Sequence, residues 1–159
     1  MPLRVGDTAP KFELTDAEGR SYGLERFAGR KLLVFYKTTC PTCKLTLPFV
    51  EKLHSFYGQS LHIWGVVQDP AQEVVKFAKN YALTFPQLVD YPDYRVSEEY
   101  KVERVPTLYL IDEDRRVSFV SQSFVKADLE RLNGLLAFFA GVAPKDLFVG
   151  QAVPELKPG

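Results

Sequence analysis

The sequence predicts one α/β domain: a mixed sheet flanked by helices, with an N-terminal β-hairpin extension. Three observations carry this. Lys31-Leu32-Leu33-Val34-Phe35-Tyr36 is a near-continuous apolar run, the pattern of a central strand buried on both faces. Strand and helix patterns then alternate, which calls for right-handed crossovers and a parallel portion of the sheet. A late strand pair around residues 107–120 adds antiparallel neighbours. A length of 159 residues suits a single domain. A composition of 46% hydrophobic and 25% charged residues is ordinary for a globular chain.

Residues 1–11 read as an extended lead-in. Phe12-Glu13-Leu14 and Ser21-Tyr22-Gly23-Leu24 flank Asp16-Ala17-Glu18-Gly19, a hairpin with glycine in its turn. Phe27–Arg30 connects to the central strand. From Pro41 to about Tyr57, Leu45, Phe49, Val50, Leu53, Phe56 and Tyr57 recur at spacings of three and four, which predicts an amphipathic helix. Pro48 lies inside it and predicts a kink; Gly58 predicts its stop. Leu61–Val67 is a second strand. Asp69-Pro70 opens a helix to about Tyr81, with Val74, Val75, Phe77 and Ala78 on or near its buried side. Phe85–Val89 is a short extended piece, and Tyr94–Tyr100 a turn or two of helix. Thr107–Ile111 and Val117–Val120 pair around Asp112-Glu113-Asp114-Arg115. A last helix spans about Lys126 to Phe139. The segment 141–159, with Pro144, Pro154 and Pro158, predicts an irregular, partly mobile tail after a domain of residues 1–140.

Twenty basic and twenty acidic residues give a formal net charge of zero. That argues against a nucleic-acid partner or a membrane surface, which usually need a basic excess. The first residues show no apolar h-region with a small-residue cleavage site, and no apolar run approaches the ~18 residues of a membrane helix. The expected location is the cytoplasm.

There are two cysteines, in the segment Cys40-Pro41-Thr42-Cys43. A disulfide this short closes only a tiny loop and adds little stability, so reactivity is the better explanation for the pair. The segment runs off a buried strand into a helix. Cys40 then sits at the helix start, where free N–H groups and the dipole favour an anion. A thiolate is such an anion, and it is the form that attacks a disulfide. Cys43, about one turn later, is placed to attack a mixed disulfide formed at Cys40 and release the product. Pro41 suits the first helical position, and Pro41 and Thr42 help set the redox potential. A metal reading stands beside this one. Cys40, Cys43, His54 and His62 would make a Cys₂His₂ set, but gaps of ten and seven residues fall outside the usual finger spacing. A bare two-thiolate site for a soft ion such as Cu(I) is the remaining metal form. No resident metal or cofactor is expected.

Phe35-Tyr36-Lys37-Thr38-Thr39-Cys40-Pro41-Thr42-Cys43-Lys44-Leu45-Thr46-Leu47-Pro48 resembles the active-site stretch of the TlpA/ResA-like thiol–disulfide oxidoreductases. These belong to the redoxin branch (alkyl hydroperoxide reductase/thiol-specific antioxidant) of the thioredoxin fold. Val5-Gly6-Asp7-Thr8-Ala9-Pro10-Lys11-Phe12 is similar to the redoxin lead-in, and Tyr100–Asp112 resembles the segment around that family's cis-proline. The resemblance covers most of residues 3–140. It implies a thioredoxin-like fold, Cys40 as exposed nucleophile and Cys43 as resolving thiol. It also implies a cis Pro106 facing the sulfurs, with the Val105 backbone offered to a substrate chain by strand addition. The implied partners are a disulfide-containing protein or small thiol substrate and a thiol electron donor or acceptor. Two positions depart from the pattern. Thr39 replaces the usual aromatic residue before the first cysteine and makes the substrate rim more polar. Thr46 replaces the acid two before the kinking proline, so no proton acceptor for Cys43 is named. Lys37 and Arg104 are either thiolate-stabilising neighbours or solvated surface. The alternative within the superfamily is a peroxiredoxin-type peroxidase. There Cys43 would take the attacking position and Cys40 would replace the threonine three residues before it.

Overall fold

A computed structural model describes residues 1–159. The hairpin is β1 (Glu13–Thr15) and β2 (Ser21–Gly23). It is followed by β3 (Lys31–Tyr36), α1 (Pro41–Tyr57), β4 (His62–Val67), α2 (Ala71–Asn80), β5 (Gln87–Val89), α3 (Arg95–Glu99), β6 (Thr107–Ile111), β7 (Val117–Gln122), β8 (Phe124–Val125), α4 (Lys126–Ala140) and β9 (Leu156–Lys157). The main sheet has the order β5-β4-β3-β6-β7. The first three strands are parallel, and β6 and β7 are antiparallel to their neighbours.

All six residues of β3 are buried, as its apolar run predicts. Its side chains alternate between two cores. Leu32, Val34 and Tyr36 face one, and Leu33 and Phe35 the other. The crossovers β3-α1-β4 and β4-α2-β5 step the same way across the sheet. Right-handedness therefore puts both helices on one face. Leu47, Val50 and Leu53 of α1, Val74 and Phe77 of α2, and Leu129, Leu132 and Leu136 of α4 meet there. The opposite face carries only the short α3, through Val96, so the chain's start completes its cover. Leu3, Ala9, Phe12 and Leu24 lie over Leu33, Phe35 and Trp64. A tyrosine relay ties this wall down. Leu3 N–H donates to Tyr109 Oη at 3.2 Å, Tyr109 Oη–H to the Tyr100 carbonyl at 2.8 Å, and Tyr100 Oη–H to the Pro10 carbonyl at 2.6 Å.

Helix α1 continues through Pro48 to Tyr57. Gly141, at φ 70°, stops α4 in the left-handed conformation. The segment after it holds no helix and a single short strand, and it is packed against the domain. Leu147 and Phe148 are buried in the main core, with the Phe148 ring 4.8 Å from that of Phe49. Tyr57 Oη–H donates to Asn133 Oδ1 at 2.9 Å and accepts from Lys145 N–H at 3.1 Å, fixing the segment to α1 and α4. Further on, β9 pairs antiparallel with β8, Phe124 opposite Lys157 and Val125 opposite Leu156. A lone bulky pair and a two-residue strand have no periodicity to betray them in sequence.

Candidate active site

The register of the sheet assembles the site. In β3 and β4, Tyr36 pairs with Val67, so the residues two beyond each, Thr38 and Asp69, emerge side by side. Thr38 N–H donates to Asp69 Oδ2 at 2.7 Å. On the other flank Phe35 pairs with Thr107, which brings Val105 and Pro106 beside the chain leaving β3. Three segments distant in sequence thus meet at the first turn of α1.

Cys40 is the N-cap of α1, with extended backbone (φ −82°, ψ 119°), and Pro41 occupies the first helical turn. Cys40 Sγ accepts the Cys43 N–H at 3.2 Å. This is one of the donors a helix start leaves unpaired, and it points a partial positive charge at the sulfur. On its other side Cys40 Sγ lies 3.6 Å from the Val105 carbonyl oxygen. The Val105–Pro106 peptide is cis. Thr39 is exposed, Cys40 half-buried, and Thr42 and Cys43 are buried.

The two sulfurs are not equivalent. Cys43 has no exposed surface. Burial pushes its thiol far above the ordinary thiol range, and the adjoining Cys40 and the Asp69 carboxylate push the same way, while the Lys37 backbone N–H pulls partly back. An anion at Cys43 would be desolvated and repelled, and of the two sulfurs only Cys40 is reachable from solvent. Lys37 thus acts through its backbone; its side chain and that of Arg104 are exposed. The histidines of the hypothetical metal set lie elsewhere. His54 is eleven residues past Cys43, about 16 Å along the helix, and its Nδ1 pairs with Thr84 Oγ1 at 3.0 Å. His62 Nε2 meets the Ala28 carbonyl at 3.0 Å.

Two features of the site have no signal in the sequence. Asp69 looked like a helix opener, yet it supports the cysteine loop and is the carboxylate acting on Cys43. Pro158 and Gly159 fall in the segment whose sequence predicts an irregular tail. In the structure Thr42 Oγ1 donates to the Pro158 carbonyl at 2.5 Å and Gly159 N–H to Ser123 Oγ at 2.9 Å.

Residues 5–120 match the AhpC/TSA family. The chain belongs to that family. The thiol–disulfide oxidoreductase ResA of Geobacillus kaustophilus is 36% identical over 133 residues, covering 81% of this chain and 76% of its relative. Among solved structures, one described as a thiol:disulfide interchange protein DsbE from Chlorobium tepidum matches with a TM-score of 0.77 at 25% identity, covering 87% of this chain and 99% of that one. Peroxidoxin BcpB from Mycobacterium tuberculosis matches with a TM-score of 0.73 at 25% identity, covering 89% and 99%. The fold of this AhpC/TSA member is thioredoxin-like, and its enzyme class is that of the thiol–disulfide oxidoreductases. No helix of the chain is long and apolar enough to cross a membrane.

Proposed function

We propose that the protein reduces or exchanges disulfides of proteins or small molecules through the Cys40/Cys43 pair. The observation that carries this is the asymmetry of the sulfurs. One is reachable, on a helix start and holding an N–H; the other lies dry beneath it with its proton retained. In the first step the Cys40 thiolate attacks one substrate sulfur. A bond forms between Cys40 Sγ and that sulfur, the substrate S–S bond breaks, and the far sulfur leaves as a thiolate that takes a proton from water. Cys43 then gives up its proton and attacks Cys40 Sγ. The internal disulfide forms, the mixed disulfide breaks, and the departing substrate sulfur takes up the proton that Cys43 released. A thiol donor returns the pair to the dithiol state.

The surrounding residues serve those steps. Pro41 starts the helix whose amides face Cys40. Val105, beside Pro106, offers backbone to an extended substrate chain, and Thr39 forms the polar rim. A cytoplasmic setting would make the reducing direction the working one. The test is trapping in cells. Cys43→Ser should accumulate mixed disulfides at Cys40, and Cys40→Ser should abolish exchange without altering the far-ultraviolet spectrum. Recovering no trapped partner would count against these roles. A second reading, thiol peroxidase, draws on the likeness to the peroxidoxin. Fast stopped-flow oxidation of the reduced protein by peroxide would favour it over exchange.

A further inference from the structure

The end of the chain is bound at the proposed exchange site as an extended peptide. Its ladder with β8 continues at the Lys126 N–H, which donates to the Glu155 carbonyl at 3.0 Å. Pro158 then accepts from Thr42, inside the cysteine motif, and Gly159 donates to Ser123. Thr42 and Ser123 are 3% and 7% exposed, and the tail supplies the partner of each hydroxyl. Gly159 lies against the Val105 carbonyl so closely that a Cβ at this position would run into that oxygen. The same oxygen faces Cys40 Sγ at 3.6 Å. The tail therefore fills the place beside Val105 where a substrate chain would lie, and only a residue without a side chain fits there.

Resting on the exchange reading above, we propose that Glu155–Gly159 is a built-in occupant of the exchange groove, which a disulfide-bearing polypeptide displaces before its sulfur reaches Cys40. A small disulfide needs no backbone pairing and reaches the half-buried Cys40 with the tail in place. The occupant thus discriminates between classes of substrate. Two hydrogen bonds and a two-residue ladder hold it weakly, so the groove is open in on the order of a tenth of the molecules.

The test compares the unaltered protein, a chain ending at Val153, and the full-length variant Gly159→Val, whose side chain collides with the Val105 carbonyl. The last carries the test if the shortened chain fails to fold. Each is assayed with insulin as polypeptide disulfide and hydroxyethyl disulfide as small one. Both variants should exchange with insulin on the order of tenfold faster, the reciprocal of the open fraction. Rates with hydroxyethyl disulfide should change less than about twofold, since that substrate never competes for the groove. Unchanged insulin rates, or equal acceleration of both substrates, would overturn the proposal while leaving the exchange reading intact. Absence of exchange with either disulfide in all three proteins would overturn both.

Discussion

Replacing Tyr57 by Phe removes one oxygen atom and leaves the ring packing in place. That oxygen is 2.9 Å from Asn133 Oδ1 and 3.1 Å from Lys145 N, so its loss orphans one acceptor and one donor. Lys145 lies on the surface and its N–H can turn to water, whereas Asn133 is 7% exposed and its Oδ1 stays dry. Leaving one buried acceptor unpaired costs roughly 1–2 kcal/mol beyond what the exposed donor recovers. For a domain of this size each kcal/mol lowers Tm by roughly 2–4 °C, so the variant should melt roughly 2–8 °C lower by calorimetry. Exchange should be unaffected, because Tyr57 is fourteen residues past Cys43, about 21 Å along α1. A Tm within about 1 °C of the parent would refute the reasoning, since it would mean that the hydroxyl's partners find water as readily without it.

Three further outcomes follow from the two sulfurs and their surroundings. Iodoacetamide near neutral pH should label Cys40 and leave Cys43 unlabelled until the chain is denatured; equal labelling in the peptide map would contradict the burial of Cys43. The thiol of Cys43 and the hydroxyls of Tyr36, Tyr100 and Tyr109 are all raised, Tyr109 to about 12, chiefly by desolvation. Above the ordinary thiol and tyrosine ranges the unfolded chain therefore holds fewer protons than the folded one, and stability must fall with rising pH. The urea midpoint of the reduced protein should drop between pH 7 and about pH 10.5, and Cys43→Ala should remove the thiol's share of that drop. Asp69→Asn keeps an acceptor for the Thr38 N–H but deletes the charge that opposes a Cys43 thiolate, so the pH–rate profile of resolution should move to lower pH; superimposable profiles would exclude any electrostatic action of Asp69.

The sheet and the chemistry of its carboxyl end were readable because their signals are local. The apolar run of β3, the three-four spacing of α1 and the Cys40–Cys43 interval each fall within a few residues. The cis bond at Val105–Pro106 followed from resemblance, since no local pattern distinguishes it from an ordinary proline at a strand start. What stayed hidden is what the fold brings from afar. Asp69 meets Thr38 only through the pairing of Tyr36 with Val67, and a sequence shows strands but not their register. The seat of Pro158 and Gly159 depends on a two-residue strand whose partner lies 33 residues earlier, Phe124 against Lys157. No periodicity in a proline-bearing tail announces such a pairing.

The wall over Leu33, Phe35 and Trp64 is built from residues that precede the sheet in the sequence, but what pins it lies far downstream. Leu3 and its tyrosine anchor are separated by 106 residues, and Val117 N–H, which holds the Asp7 carbonyl at 2.9 Å, comes later still. Until β6 is synthesised, the aromatic side of β3 and β4 has no fixed lid. Closing so long a loop costs chain entropy before any contact compensates it. A chain ending before Thr107 therefore lacks the Tyr109 and Val117 hydrogen bonds that fix the leading segment, although Phe12, Tyr22 and Phe27 can already pack on Trp64.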